Sequence, residues 1–225
     1  MEWSAIFLSV RLALLVCVIL LAVGIPIAAW LATSGWRWKF LVEAVVALPI
    51  VLPPTVLGFY LLVAMGPASP VGRLYAGFFG HGLAFTFTGL VIASVIYSLP
   101  FAVQPMAAAF AQVDRSLLNA SAMLGASGLR TFRQIVIPLS RGGIVTGAVL
   151  SFAHTLGEFG VVLMVGGNIP GVTRTVSIAI YDHVQALEYN GANAMALLLL
   201  AFSFITLSLT YAVNRRMWRV WPLQR

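Results

Sequence analysis

Five long apolar segments, separated by polar or glycine- and proline-rich stretches, dominate the sequence. Each is close to the roughly 20 helical residues that cross the hydrocarbon core of a bilayer. Pro49, Pro53 and Pro54 interrupt the second segment, where neighbouring helices or a cavity could accommodate the backbone groups that proline leaves unpaired. We therefore predict membrane-spanning helices at about residues 12–32, 44–65, 89–111, 143–165 and 192–213.

The expected fold class is an all-α integral membrane protein. We expect about five transmembrane helices, or six if a long or re-entrant segment is split, in a single domain over residues 1–225. The composition agrees, because 61% of residues are hydrophobic and 8% are charged, against roughly 45–50% and about 25% in soluble domains. A soluble enzyme, a disordered chain and a disulfide-rich secreted domain are excluded.

The basic residues predict the orientation, because cytoplasmic loops of membrane proteins are enriched in Lys and Arg. With the C-terminus in the cytoplasm, the inside holds ten of the thirteen basic residues: Arg37, Lys39, Arg115, Arg130, Arg133, Arg141, Arg215, Arg216, Arg219 and Arg225. The outside holds the other three and three acidic residues: Arg11, Arg73, Arg174, Glu2, Asp182 and Glu188. We predict a multi-pass protein of a bacterial or archaeal cytoplasmic membrane, with the N-terminus outside. The net charge of +7 then requires no nucleic-acid partner.

Three loops are long in this topology. The outer loops cover about residues 66–88 and 166–191, and the inner loop covers about residues 113–142. In the inner loop Asp114 is a good N-cap for a helix over 115–124, and Gly125 can supply the left-handed residue that ends it. A second helix is expected from Leu129 until Pro138 stops it.

The inner loop carries a spaced motif: Asn119-Ala120-Ser121, then Gly125, then Ile135-Val136-Ile137-Pro138. It resembles the Glu-Ala-Ala motif of permease subunits of ABC importers, with Asn119, Ser121 and Ile137 in place of Glu, Ala and Leu. The resemblance implies that the loop docks on a separate ATP-hydrolysing subunit through Asn119, Ala120, Ser121, Leu124, Gly125, Ile135 and Pro138. From the residues alone, helix-in-groove docking through Leu117, Leu118 and Leu124 and a connector lying on the inner membrane surface are equally open.

The chain lacks the motif of a nucleotide-binding loop. That loop needs Gly-x4-Gly-Lys followed by Ser or Thr, and the only lysine, Lys39, lies between Trp38 and Phe40. His, Cys, Asp and Glu do not show metal-ligand spacing either. We expect a non-catalytic permease subunit that binds no metal or cofactor, with ATP and magnesium on the partner subunit.

A second stretch narrows the resemblance. Leu156-Gly157-Glu158-Phe159-Gly160 is followed by Asn168-Ile169-Pro170-Gly171 and Thr173. These elements resemble the molybdate permeases and the related sulfate permeases, over nearly the whole chain. The resemblance implies a type I ABC importer permease fold, a homodimer with the pathway between the copies, two ATPase subunits, and a periplasmic molybdate-binding protein that delivers the oxyanion. The Asn-Ile-Pro-Gly element favours molybdate, and tungstate with it, over sulfate.

Glu158 is expected inside the fourth segment, one turn after His154 on the same helix face. A carboxylate is costly in lipid, so it must face the bundle, a partner or water. It therefore either belongs to the pathway or gate, together with Gly157, Phe159, Gly160, Pro53 and Pro54, or makes a packing hydrogen bond to His154 or to a backbone amide. Because a carboxylate repels an oxyanion, we do not expect it to bind the substrate.

The outer loop after the fourth segment offers a candidate mouth. Arg174 with the hydroxyls of Thr173 and Thr175 is suited to a tetrahedral oxyanion. The alternative is docking of the binding protein. The residues assigned to either role are Asn168, Pro170, Gly171, Thr173 and Arg174.

Two other functions remain open. A sulfate or thiosulfate permease is the near alternative. A self-contained secondary carrier or channel is a different class, which would need ion or proton ligands inside the membrane. Glu158 and His154 alone give that class thin support.

Overall fold

The computed structural model describes the backbone of residues 2–220 and the side chains of residues 2–212. Every regular element in that part of the chain is helical, which confirms the all-α prediction. The helices are α1 (Trp3–Thr33), α2 (Lys39–Val51), α3 (Pro54–Met65), α4 (Pro70–Phe79), α5 (Phe87–Ala111), α6 (Arg115–Met123), α7 (Gly128–Thr131), a π-helical turn (Phe132–Val136), α8 (Ile137–Leu139), α9 (Arg141–Gly157), α10 (Gly160–Gly166), α11 (Val176–Gln185) and α12 (Tyr189–Val220). Four basic residues of the predicted charge distribution lie outside the described side chains: Arg215, Arg216, Arg219 and Arg225.

Three helices of the described chain, α1, α5 and α12, are each long and apolar enough to cross a membrane. The count rises to as many as five if each of two bent helix pairs forms one crossing. These pairs are α2 with α3, and the helical stretch Gly128–Leu139 with α9. This range includes the five crossings expected from the sequence.

The core is a three-helix contact among α1, α5 and α9. Leu12 and Leu20 of α1 and Met106 of α5 are fully buried there. Small residues let α9 approach α5 closely: a Cβ atom added to Gly147 would lie 2.7 Å from the carbonyl oxygen of Ala102. Gly143 is equally close to α5. Close approach through small residues is typical of helices packed in a membrane.

The second apolar segment is broken into two helices. α2 and α3 meet at an angle of 111°, with Leu52 and Pro53 in extended conformation between them. Pro49 stays inside α2 and is buried. The adjacent prolines cause the break, because each lacks an N–H and also disfavours helical geometry in the residue before it. Pro54 then occupies the first turn of α3, where a missing N–H costs nothing.

The fourth apolar segment is not one continuous helix, which corrects the prediction for residues 143–165. α9 ends at Gly157, Glu158 is extended, and α10 begins at Gly160. Glycine is a poor helix former on either side of this position. Glu158 is a second cause of the break, because its carboxylate accepts a hydrogen bond from a backbone amide of the next helix.

Pro138 does not end its helix as predicted. It lies in the first turn of α8, directly after the π-helical turn, so the N–H it lacks is not needed there. The chain turns by 73° one step later, between Leu139 and Arg141. The hydroxyl of Ser140 donates to the carbonyl oxygen of Ala109 at 3.2 Å and holds this corner on α5.

The two ends of the helix bundle carry the loops in the predicted groups. At one end, here the inner end, Lys39 and Ala111 line the same groove, so the loops that follow α1 and α5 lie together. At the other, the outer end, the amide of Phe85 donates to the carbonyl oxygen of Val165. Glu2 joins this end through contacts with Arg174. The side assigned to each end remains a prediction from the basic residues.

Candidate functional site

Three groups of residues correspond to the predicted site: an inner coupling helix, a pair of helix breaks, and an outer polar cluster. The inner coupling helix is α6. Asp114 caps it, because its carboxylate accepts from the amide of Ser116 at 2.8 Å, and this hydrogen bond lowers the pKa of the exposed Asp114 carboxyl. Gly125 follows with φ +75°, which confirms the predicted left-handed end.

The end of α6 projects into the surroundings. Met123 and Leu124 are both 88% exposed, and a Cβ atom added to Gly125 would have no atom within 4 Å. Asn119 and Ala120 are exposed on the same helix. Two large apolar side chains at the tip of a short helix are suited to a cleft on another protein.

The inward side of α6 is tied to the core. Ser121 is buried and shares a 2.8 Å hydrogen bond with Thr131, so it does not face a partner as predicted. Leu118 and Ile135 pack against the core. For Leu118 this corrects the expected role of filling a partner's cleft, because the side chain is already partly covered within the chain.

Aromatic packing connects this segment to α5. The rings of Phe110 and Phe132 meet edge to face with centroids 5.6 Å apart. Pro138 follows Phe132 on the same helical stretch, which Ser140 fastens to α5. Packed side chains thus connect α6 with α5, because Ser121 contacts Thr131 and the adjacent Phe132 contacts Phe110.

The second group is formed by two helix breaks that meet. A Cβ atom added to Gly160, at the start of α10, would lie 2.6 Å from the Cβ of Pro54, at the start of α3. One added to Gly58 would lie 2.8 Å from the Cβ of Met164. The breaks at Pro53 and at Glu158 thus lie side by side, and we call this group the paired breaks. From the sequence, Pro53, Pro54 and Gly160 were all assigned to a pathway or gate, but their contact was not predicted.

Glu158 holds the second break. Its Oε1 accepts from the backbone amide of Val161 at 2.8 Å, and the residue is 8% exposed. The side chain therefore caps the first turn of α10, which is the backbone-amide alternative stated for this residue. A Cβ atom added to Gly157 would meet no neighbouring element within 4 Å. Gly157 therefore does not allow a close approach between helices, as Gly160 does. Phe159 packs on Tyr181 of α11, with centroids 5.0 Å apart.

His154 does not lie on one helix face with Glu158, because the helix ends between them. Its Nδ1 is 3.0 Å from the hydroxyl of Ser98, and its ring stacks on Phe101 at 3.9 Å between centroids. Ser98 is also 2.9 Å from the hydroxyl of Thr155. The histidine thus belongs to a polar contact between α5 and α9.

The third group is the outer polar cluster. Arg174 contacts the carboxylates of Glu2 at 2.9 Å and Asp182 at 3.0 Å. Asn168 donates to the same Asp182 at 2.6 Å, and His183 contacts Glu188 at 2.8 Å. Two carboxylates already balance the charge of Arg174, which weakens its predicted suitability for an oxyanion.

The remaining mouth residues divide between structure and surface. Thr173 is fully buried: its hydroxyl donates to the carbonyl oxygen of Gly166 at 2.7 Å and accepts from the amide of Ile169 at 3.1 Å. It therefore closes the turn and does not face a ligand, which corrects the prediction. Pro170 and Gly171 are exposed at the tip of that turn, where Gly171 has φ +75°.

Two features of these groups were not predicted. Met123, next to the predicted Leu124, is equally exposed. Arg174 also forms two ion pairs, one with Glu2, which lies 172 residues away in the sequence, and one with Asp182, which lies 8 residues away. The signal for them was available, because these charges fall on one predicted side of a chain with only 8% charged residues.

A comparison with protein families identifies this architecture. Residues 24–219 match the family described as binding-protein-dependent transport system inner membrane component. The chain belongs to this family. It is therefore a multi-pass permease component of a transport system in the inner membrane, as the coupling-loop motif implied.

Individual relatives agree with the family. The chain is 54% identical over 215 residues to the molybdenum transport system permease protein ModB of Azotobacter vinelandii, covering 95% of both chains. It is 32% identical over 219 residues to a probable sulfate transport system permease protein, cysT, of Chlorella vulgaris, covering 96% of this chain and 81% of the relative.

A solved structure supports the fold. In a bacterial alginate ABC transporter, crystallised with an alginate pentasaccharide-bound periplasmic protein, one chain superposes with a TM-score of 0.75 at 16% identity. The match covers 95% of this chain and 78% of that one. The type I importer permease fold is thereby confirmed.

Proposed function

We propose that this chain is the membrane-spanning subunit of an ATP-driven importer that carries molybdate, and tungstate with it, into the cell. The observation that carries the proposal is the 54% identity to the A. vinelandii molybdenum permease over 95% of both chains. The sulfate relative is matched at 32%, so sulfate or thiosulfate is the second candidate.

In this proposal the permease works in an assembly. Two copies surround the pathway, since two-fold symmetry is the commonest closed arrangement, and a pair of ATPase subunits holds ATP and magnesium. A periplasmic binding protein delivers the anion at the outer end, as the complex of the alginate transporter with its periplasmic protein supports. The exposed turn at Pro170 and Gly171 is the docking point we assign to it.

The inner coupling segment, residues 113–142, is the part that the ATPase moves. Met123 and Leu124 enter a cleft on the ATPase, and Ser121 passes the movement to Thr131 through their shared hydrogen bond. The contact of Phe132 with Phe110 then carries it to α5. Asn119, Ala120 and Gly125 complete the docking surface.

The paired breaks are the moving part of the pathway in this proposal. α10 is short and separated from α9 by Glu158, and it packs on α3 through Gly160 and Pro54. A short helix between a hinge and a turn can shift as a unit without unfolding its neighbours. Glu158 keeps its first turn intact during that shift and does not bind the anion.

A self-contained carrier or channel is less well supported. Such a protein would need ion or proton ligands within the membrane. The two candidates are engaged within the chain: Glu158 accepts from Val161 and His154 contacts Ser98. In the described part of the chain, these two side chains therefore already have partners and are not open ligands for a coupling ion.

Stimulation of the ATPase tests the substrate. The permease, purified with its ATPase and placed in liposomes, is mixed with binding protein loaded with molybdate or with sulfate. Molybdate-loaded protein is expected to stimulate ATP hydrolysis and sulfate-loaded protein to leave the basal rate unchanged. The reverse result would make the chain a sulfate permease, and stimulation by neither would remove the proposal.

A reporter fusion tests the proposed orientation. Alkaline phosphatase, which is active only in the periplasm, is fused after Arg225, a residue beyond the described part of the chain. Inactive enzyme is expected, because ten of the thirteen basic residues would then lie inside. A matched fusion in the turn at Gly171 should be active, and active enzyme after Arg225 would overturn the topology.

A further inference from the structure

The groove between α2 and α5, at the inner end of the bundle, has not yet been given a function. Its volume is about 400 Å³, which lies within the roughly 300–1,000 Å³ typical of small-molecule sites. Lys39 and Glu43 of α2 line one side, and Gln104 and Ala108 of α5 line the other. We call this space the inner groove.

Gln104 is the polar side chain that α5 contributes to the inner groove. α5 is long and apolar enough to cross a membrane, and Gln104 lies seven positions before it ends at Ala111. At 1.5 Å per residue this is about 10 Å along the helix axis, so the side chain lies at the depth of the acyl chains. Gln104 is exposed, and its amide has no hydrogen-bond partner among the described side chains and backbone.

An unpaired amide at this depth indicates that the inner groove holds water. The side chain of Gln104 carries two N–H donors and an acceptor oxygen. Against acyl chains all of them would lack a partner, and removing such a group from water without a new hydrogen bond is costly. Polar side chains within membrane helices therefore face the interior of a bundle or a water-filled cavity. Lipid is thus excluded as the neighbour of this side of α5.

An ion pair at the inner groove favours water over close coverage by a second copy. The Nζ of Lys39 lies 3.4 Å from a carboxylate oxygen of Glu43, and the two side chains are 32% and 50% exposed. Lys39 also donates to the carbonyl oxygen of Leu31 at 3.1 Å. Burial under another protein surface would remove the remaining water from both charges, a cost that an ion pair offsets only with further well-placed hydrogen bonds.

We propose that the inner groove is the inner part of the anion pathway, and that the side-chain amide of Gln104 donates a hydrogen bond to the passing oxyanion. The proposal rests on the proposed function, because it names a contact for the substrate of that transport. In the two-fold assembly a water-filled face of this kind opens on the space between the copies. α2 ends at Val51, beside the break at Pro53, so the inner groove adjoins the paired breaks on their inner side.

A neutral amide is suited to a contact that must be brief. It donates through N–H without a net charge, so it holds a dianion less tightly than a free Lys or Arg does. A pathway needs contacts that are favourable enough to admit an ion and weak enough to release it. Among the described residues of the inner groove the cation is Lys39, and Glu43 balances its charge.

Two substitutions of Gln104 test the contact in the complete transporter. Liposomes contain the permease with its ATPase, and receive ATP and molybdate-loaded binding protein. Gln104→Leu removes the donor, and Gln104→Glu replaces the amide with a carboxylate of the same size. The control is Gln185→Leu, the same exchange at an exposed glutamine that ends α11. Uptake of radiolabelled molybdate and hydrolysis of ATP are measured in the same sample.

The molybdate carried per ATP hydrolysed is expected to fall at least about tenfold in both Gln104 variants, because a hydrogen bond to a charged group is lost. The ratio in Gln185→Leu should equal the native ratio. An unchanged ratio in the Gln104 variants would overturn the proposal, including the case in which uptake and hydrolysis fall together, which indicates a structural role.

The native complex separates this inference from the proposed function. If it carries sulfate and not molybdate, the proposed substrate is wrong, and the same ratio is then read with sulfate, which would meet the same amide. If it carries neither anion, the proposed function and the inference that rests on it are both removed. If it carries molybdate and the Gln104 variants do so equally well, the inference alone is wrong.

Thiol chemistry tests for water and substrate in the inner groove by a separate measurement. In a Cys17→Ser background, Gln104→Cys is treated with an anionic, membrane-impermeant thiosulfonate during turnover. Gly35→Cys is the control at the same end of the bundle, because a Cβ atom there has no neighbour within 4 Å. Both cysteines should react, and molybdate should slow the reaction at position 104 alone. No reaction at position 104 would mean that lipid or protein covers it, and a reaction that molybdate does not slow would place the anion elsewhere; either result overturns the proposal.

Discussion

Removing the Glu158 side chain tests the structural reason for the second helix break. Glu158→Ala deletes the acceptor of the Val161 amide and leaves the first turn of α10 uncapped. Glu158→Gln is the matched control, because its side-chain oxygen can still accept the same hydrogen bond. Its size is also nearly that of the native residue, so packing around the buried side chain is retained.

The expected magnitude follows from the geometry of this bond. Oε1 lies 2.8 Å from the Val161 nitrogen, and the residue is 8% exposed, so little water is at hand to replace the lost acceptor. A hydrogen bond to a charged group contributes about 1.5–3 kcal/mol, and a neutral one about 0.5–1.5 kcal/mol. The alanine variant should therefore open the first turn of α10 roughly 10- to 150-fold more often, at about 1.4 kcal/mol per factor of ten.

Hydrogen–deuterium exchange measures this opening directly. A peptide that contains Val161 should exchange faster in Glu158→Ala by roughly that factor, while Glu158→Gln should stay within about tenfold of the native chain. A peptide from α1 provides the internal control. The reasoning is refuted if the alanine variant exchanges at the native rate, or if both variants accelerate equally, since the acceptor oxygen would then not matter.

The remaining predictions concern packing, docking and charge. Gly160→Ala should destabilise the permease by about 1–3 kcal/mol through overpacking, because its methyl group would collide with α3. Gly157→Ala should be neutral, because the space around this glycine is open. Equal thermal unfolding midpoints for the two variants would contradict the contact. Leu124→Asp should abolish co-purification with the ATPase. Leu187→Asp is the control and should leave co-purification intact, because Leu187 is an exposed leucine at the outer end. Co-purification of the Leu124→Asp variant would contradict docking at α6. Arg174→Gln should lower the thermal unfolding midpoint, because two partly exposed ion pairs are lost, each contributing about 1 kcal/mol or less. In 1 M salt the difference in midpoint between the variant and the native chain should shrink. A difference that salt leaves unchanged would point to another cause.

The helix breaks illustrate how far local sequence reaches. Adjacent prolines at Pro53 and Pro54 act on their own backbone and on the residue before them, so the break between α2 and α3 could be expected from the sequence. The break at Glu158 was missed. Apolar content continues through it, and the deciding hydrogen bond is made by a side chain whose partner becomes free only once the helix has ended.

The tip of the coupling helix was predictable for the same local reason. Asp114 and Gly125 define the ends of α6 through capping geometry that depends on neighbours in the chain. The direction of each side chain was not predictable. Whether Ser121 faces a partner or Thr131 depends on how α6 folds back on α7, which periodicity in a nine-residue helix does not determine.

Long-range pairing limited the prediction of the outer end. The sequence placed Glu2, Arg174 and Asp182 on one side of the membrane, and it could not show that the two carboxylates reach the same guanidinium. An isolated Arg in a loop therefore resembled an anion ligand. In a chain with few charged residues, opposite charges on the same side of the membrane have few partners other than each other. Pairing them would have shown that Arg174 is not a free ligand for an anion.

The central claim is that force applied at the tip of α6 by a separate ATPase drives an oxyanion across the membrane. Uptake of radiolabelled molybdate into proteoliposomes tests it most directly, with the permease alone, with the ATPase added, and with ATP and loaded binding protein present. The account predicts uptake only in the complete system, and none in the complete system carrying Leu124→Asp. Uptake by the permease alone, without nucleotide or a second polypeptide, would contradict it.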